Sequence, residues 1–153
     1  MPILYMLVGV PGVGKSTWIK QQDWARDDIA VVSTDDIVEQ YAEQTDRTYN
    51  EVFKEFMPTA VKLMASQVEQ ARDQGLNIIW DQTSTTKASR AKKLRMLPEY
   101  HAIAVVFLTP DRSELDVRLS GRPGKHIPKN VVDSMIAGFE MPDEEEFDEI
   151  WFV

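Results

Sequence analysis

Cysteine is absent from the 153 residues. Disulfides, thiolate zinc sites, iron–sulfur clusters and a cysteine nucleophile are therefore excluded, and the absence fits a reducing compartment. Long apolar runs are absent as well. The apolar stretch from Ile3 to Val10 is too short to cross a bilayer and lacks the basic start of a signal peptide. A soluble, cytoplasmic chain with no membrane partner is expected. Repeats, low-complexity tracts and linkers are also missing, so residues 1–153 are read as a single domain. With 43% hydrophobic and 27% charged residues, the chain has the composition of a folded protein.

Positive charge is in deficit, but unevenly. Lys and Arg number 17 against 25 Asp and Glu. Seven of the acids (Glu140, Asp143, Glu144, Glu145, Glu146, Asp148, Glu149) crowd into the segment 140–149, which holds no base. The first 139 residues are thus nearly neutral, with 17 bases and 18 acids. An acidic net charge of this kind does not forbid a phosphate-rich partner, because a local basic surface decides that. One such surface is expected where Lys87, Arg90, Lys92, Lys93 and Arg95 fall within nine residues. That helix is read as a solvated face that could also hold a nucleic-acid backbone. The acidic segment is read as a solvated end.

The order of elements sets the fold class. Apolar runs at 3–9, 29–33, 76–80 and 103–108 predict buried strands, with a short fifth at 150–153. Helices are predicted at 15–22, 34–44, 48–74, 86–96, 111–119 and 128–139. The longest opens with a capping box, Thr48 to Glu51, and shows a face of Phe53, Phe56, Met57, Val61, Met64 and Val68. Alternation of this kind predicts an α/β three-layer sandwich, with a central parallel sheet of about five strands. Ligands of such sheets lie beyond the carboxyl ends of the strands.

Gly9-Val-Pro11-Gly12-Val13-Gly14-Lys15-Ser16 follows the first strand and matches G-x-x-x-x-G-K-[ST] at every fixed position. The glycines let backbone N–H groups turn toward phosphate oxygens. Lys15 is expected to reach the β- and γ-phosphates, and Ser16, beside Thr17, to ligate Mg²⁺. A dinucleotide fingerprint is missing, since the glycines do not fall in G-x-G-x-x-G spacing. A GTPase's D-x-x-G switch is missing too, because Asp81 is followed by Gln, Thr and Ser, and N-K-x-D does not occur. What is left is a short nucleoside-triphosphate binder with arginines in a late loop, a combination that favours a kinase. Asp35 and Asp36 stand just past the second strand, where a carboxylate can orient an attacking hydroxyl toward a γ-phosphate.

In order along the chain, four blocks resemble the 5′-hydroxyl kinase domain of phage-type polynucleotide kinases. They are Val8 to Trp18, Ser33-Thr-Asp-Asp36, Ile78-Ile-Trp-Asp81-Gln-Thr83, and Glu114 to Arg122 followed by Ile127-Pro128. The resemblance implies a P-loop kinase-like fold with a short lid, and ATP·Mg²⁺ as cofactor. It implies Asp35 as general base, Lys15 and Ser16 as phosphate and metal residues, and Arg122 as the lid arginine on the transferring phosphoryl. Arg118, four residues earlier at a helix end, can swing over the same tail. The resemblance also implies Asp81, Gln82 and Thr83 along the acceptor pocket, and a nucleic-acid 5′-hydroxyl as acceptor. One departure stands out. The family's arginine near the catalytic aspartate is missing, with Thr34 before Asp35 and Val38 after Asp36. A hydroxymethylated pyrimidine in DNA, a nucleoside or another small alcohol therefore stays open as acceptor, as does a non-enzymatic nucleotide switch acting through the acidic end. Trp18 and Trp80 border the site segments and are expected in the core, and His101 is expected to be structural. Lys125 and His126, in the same loop as Arg122, are expected on the surface, with contact to phosphate or base as the alternative.

Overall fold

The computed structural model describes residues 1–24 and 28–153. Along the chain the elements are β1 (Ile3–Val8), α1 (Lys15–Gln21), β2 (Ile29–Val32), α2 (Thr34–Gln44), α3 (Tyr49–Asp73) and β3 (Asn77–Trp80). They continue with α4 (Lys87–Met96), β4 (His101–Val106), α5 (Arg112–Ser120), α6 (Lys129–Ala137) and β5 (Glu149–Phe152). The five strands form one sheet in the order β2-β3-β1-β4-β5. Every neighbouring pair is parallel, with Leu4 opposite both Ile78 and Ala102.

Alternation along the strands separates two cores. Leu4, Met6 and Val8 of β1, with Ile78, Trp80, Ala102 and Ala104, pack under Met64, Val68 and Ala71 of α3. Leu7, Ile79, Ile103 and Val105 face the other way, toward Trp18 and Ile19 of α1 and Trp24. Helices thus cover both faces of the sheet. Both tryptophans that border the site segments pack in these cores, Trp80 being 1% exposed and Trp18 standing edge-on to Phe107.

The capping box at Thr48 and Glu51 forms as expected and starts a 25-residue helix, which runs on through Pro58 and ends before Gly75. Its inward face differs from the predicted one. Val52, Ala60, Met64, Val68 and Ala71 are buried, whereas Phe53 and Val61 are 40% and 47% exposed. The cause is the neighbour. The first half of α3 lies on α2, with Val52 and Ala60 against Val38 and Ala42. Small side chains allow the close approach, and Phe56 and Met57 pack half-buried at its margin, Phe56 stacked on Tyr41 at 3.8 Å. A pattern that weighs large apolar residues misses a face built around alanine.

The acidic segment is not a solvated end, and α4 is not a free basic face. Arg90 is fully buried, and its guanidinium donates to both carboxylate oxygens of Glu146 (2.8 and 3.2 Å) and to the Ser84 carbonyl at 3.0 Å. Lys87 donates to Asp143 at 2.9 Å, and Lys93 to the Ser84 hydroxyl at 2.6 Å. Phe147 is buried, and β5 completes the sheet edge beside β4. Of the five bases on α4, Lys87, Lys92 and Arg95 are exposed, and Lys87 is paired with Asp143. His101 is held by Glu149 at 2.6 Å, a structural contact at the same edge.

Removing one partner of a buried ion pair strands the other charge. Glu146→Gln is therefore expected to destabilise the protein by about 3 kcal/mol, read as a lower urea midpoint at unchanged slope. Replacing Arg90 by Met in the same chain should recover part of that loss. An unchanged midpoint for Glu146→Gln would mean that the pair contributes nothing.

Candidate active site

β1, the central strand, delivers the glycine-rich loop at the carboxyl edge of the sheet. The loop is anchored beneath by the Gly9 N–H, which donates to the Thr83 carbonyl at 2.9 Å, and by Val10, which is fully buried against Leu115 and Val132. Gly12 and Gly14 have φ of 87° and 101°, conformations that side-chain-bearing residues resist. A Cβ on Gly12 would also meet Leu115 and Leu119 of α5 at 3.1 Å. From the outside, Arg118 donates to the Gly12 carbonyl at 3.2 Å while paired to Glu114 at 2.6 Å. Its guanidinium is thus engaged at the back of the loop.

Lys15 begins α1 and turns back over the loop, its Nζ donating to the Gly9 carbonyl at 2.6 Å. Burial pushes its ammonium down to about 8, against the pull of Asp81 and Asp35 nearby. Pro11 and Val13 are partly buried, whereas Ser16 and Thr17 stand exposed on the first turn. Among the described residues, no cluster of three or more His, Cys, Asp and Glu is arranged to hold a metal.

The first turn of α2 lies opposite. Ser33 caps the helix by accepting from the Asp36 N–H at 3.3 Å, so Asp35 is free of the capping contact. One Asp35 oxygen accepts from the Tyr49 hydroxyl at 2.7 Å, and the other from Lys125 Nζ at 3.3 Å. Asp36 is pushed up by burial and by Glu39 and Asp35. At the end of β3, burial pushes Asp81 up to about 6, opposed by Lys15 and reinforced by Asp36 and Asp35. Lys15, Asp35 and Asp81 therefore share one electrostatic environment. Gln82 is spent locally, accepting from Trp80 Nε1 at 3.1 Å and donating to Thr34 at 3.0 Å. It ties the end of β3 to the start of α2. Thr83 contributes its carbonyl to the loop, as described above.

Arg122 lies on the loop between α5 and α6, half-buried, and its charge is felt at Lys15 and at Tyr49. The structure thus brings together Gly9 to Lys15, Asp35, Asp81 and Arg122. It sets Arg118 behind the loop and Gln82 between the end of β3 and the start of α2.

Three site residues escape the sequence patterns: Tyr49, Glu39 and Lys125. Lys125, expected on the surface, is only 12% exposed at its side chain. Tyr49 shows up in the sequence only as a member of a capping box, and Glu39 only as a helical acid.

A parallel sheet in this strand order, with a phosphate loop leaving its central strand, defines a P-loop kinase-like fold, and such a fold implies nucleotide binding. The chain belongs to the AAA domain family (AAA_33), whose model matches residues 4–142. Among solved structures, it is similar to a chain of the Pnkp1/Rnl/Hen1 RNA repair complex, with 25% identity and a TM-score of 0.65 over 90% of this chain. The match spans 43% of that chain, so this protein corresponds to less than half of its length. It is also similar to a protein from Chloroflexus aurantiacus J-10-fl, with 13% identity and a TM-score of 0.74, covering 99% of this chain and 87% of the other. A third likeness is to a gluconokinase from Sinorhizobium meliloti 1021, with 16% identity and a TM-score of 0.58, over 99% of this chain and 82% of that one. The last two show the fold alone. Among the described residues, no helix is long and apolar enough to cross a membrane.

Proposed function

We propose that this protein is an ATP-dependent kinase that transfers the γ-phosphoryl group to a hydroxyl of a nucleic acid, the 5′-hydroxyl of a polynucleotide above all. The observation that carries the reading is the Asp35 carboxylate, held by Tyr49 at 2.7 Å at the edge of the phosphate-loop site, close enough to bear on the charge of Lys15. A group so placed accepts the proton of an incoming alcohol as its oxygen attacks phosphorus. The new O–P bond forms while the bond to the β–γ bridging oxygen breaks, and ADP leaves. Lys15 and the loop N–H groups neutralise the leaving side. Arg122 spreads charge off the transferring group, and Arg118 braces the loop at Gly12.

Mg²⁺ fits this donor set. Magnesium in kinases is held by one or two protein oxygens plus substrate phosphates, not by an all-protein cage. The exposed Ser16 hydroxyl and the Asp81 carboxylate are the oxygens that would share it. When bound with ATP, it would draw charge from the β- and γ-phosphate oxygens.

The pH dependence of nucleotide binding tests the Lys15 assignment. In the free protein the Lys15 ammonium loses its proton near 8. A polyphosphate beside it restores the charged form, so above that pH the bound state holds more protons than the free state. ATP affinity should therefore hold steady below about pH 8 and fall up to tenfold per unit above it. Titration calorimetry in two buffers of different ionisation heat would show the proton uptake. A flat affinity up to about pH 9 would remove Lys15 from contact with the phosphates.

A second reading keeps the kinase and changes the acceptor to a small alcohol. It is favoured by the internal pairing of Lys87, Arg90 and Lys93 on α4, and by Asp36 and Glu39 beside Asp35. A reading as a switch gated by a free acidic end loses its basis, because that segment is docked on α4. Radiolabelled ATP offered to oligonucleotides with free or blocked 5′ ends, to modified-base DNA, to nucleosides and to small alcohols decides between the acceptors. Label on the free 5′ end alone is the expected result. Label on small alcohols alone would overturn the nucleic-acid reading.

A further inference from the structure

One ammonium group joins the lid to the acceptor helix. Lys125, three residues after Arg122 on the loop between α5 and α6, donates to Glu39 at 2.8 Å and to Asp35 at 3.3 Å. Its Nζ also stands 4.5 Å above the Tyr49 ring centre. Glu39 lies one turn beyond Asp35 on α2, so the two carboxylates present one face to the same cation. Tyr49, the first residue of α3, grips the other Asp35 oxygen. Burial and the Asp35 contact push the Tyr49 hydroxyl up, so it stays protonated and remains a donor.

The same loop is fastened to α3 by a second set of contacts. The Asn50 N–H donates to the Gly124 carbonyl at 3.2 Å. The Asn50 side chain gives to the His126 carbonyl at 2.8 Å and takes from the His126 N–H. Gly124, at φ 67°, fits so closely that a Cβ there would lie 3.1 Å from that of Thr48. Three separate pieces of chain (the lid loop, the start of α2 and the start of α3) therefore meet at Asp35.

An aspartate with free χ torsions points in several directions, and a general base works only in one. We propose that Tyr49 and Lys125 are positioning residues that aim the Asp35 carboxylate from two sides, and that Lys125 makes this aim conditional on the docking of the lid that carries Arg122. The base and the transition-state arginine are then set by one event, so that phosphoryl transfer to water is suppressed until the loop is down. Each carboxylate oxygen keeps an open lone pair in this arrangement, and the acceptor hydroxyl takes one of them. The inference rests on the reading of Asp35 as the general base.

The test pairs kinetics with hydrogen exchange. Tyr49→Phe and Lys125→Met are each expected to lower kcat by about 10- to 100-fold while the ATP KM stays within about twofold. Lys125→Arg should restore most of the rate. In Lys125→Met the His126 amide should exchange about tenfold faster, and in Tyr49→Phe it should exchange as in the wild type. The proposal is overturned by an unchanged kcat in both variants, by a loss that appears wholly in the ATP KM, or by an unaltered His126 amide in Lys125→Met. If the wild-type protein phosphorylates no alcohol and Lys125→Met still loosens His126, the kinase reading falls while the docking of the loop by Lys125 stands.

Discussion

Asparagine in place of Asp35 is expected to lower kcat by about 10²–10⁴-fold, the range for a general acid–base group, and to leave ATP binding nearly unchanged. The substitution preserves shape and one carbonyl oxygen, so the Tyr49 hydroxyl at 2.7 Å can still donate to it. What it removes is the capacity to take a proton and the attraction for Lys125, which keeps Glu39 at 2.8 Å as a partner. The expected signature is therefore kinetic. Single-turnover transfer from labelled ATP should slow by the full factor, while ATP affinity measured by calorimetry should agree with the wild type. Transfer at an undiminished rate would take Asp35 out of the chemistry.

Arg122→Ala should cost a comparable factor. Arginines that stabilise the charge of a transferring phosphoryl group contribute about 10³–10⁵ in rate, and the lower end of that range is expected here. Arg122 is half-buried on a loop that three contacts hold against Asn50. With the loop docked, its positive charge bears on both Lys15 and Tyr49. Arg122→Lys keeps the charge and loses the planar fork, so it should recover only part of the rate. The comparison of kcat for the two variants separates charge from geometry. Equal rates for Arg122→Ala and wild type would place the arginine outside the transition state.

How much of this could be read from the sequence depends on how far apart the partners lie. The phosphate loop is legible because its whole requirement is local, three glycines, a lysine and a hydroxyl in eight residues directly after a strand. The strands and their parallel sheet are legible in the alternation of apolar runs with helices, whereas the order β2-β3-β1-β4-β5 comes from the fold. Asp35 is visible as an acid at a strand end. The groups that hold it are not: Tyr49 is 14 residues away, and Lys125 is 90. A capping box accounts for the residues around Tyr49 so fully that no reason remains to look further. The basic helix shows the same limit from the other side. Its charges are plain in the sequence, but the acids that neutralise Arg90 and Lys87 come 56 residues later. Charge is a property of one residue, and pairing is a property of the fold. The inward face of α3 is legible at Met64 and Val68 but not at Ala60, which carries almost no hydrophobic signal and yet packs with Val52 against Val38 and Ala42.

The docking of the acidic segment bears on how the nascent chain matures. The outer edge of β4 and the guanidinium of Arg90 both wait for residues 146–152. Until that stretch has left the ribosome, an apolar strand edge stays open and a buried-to-be cation stays hydrated, so the loop-and-helix machinery upstream should not settle before it emerges. A stop codon shortly after residue 139 would then leave every catalytic side chain in the polypeptide and still yield a species prone to aggregate.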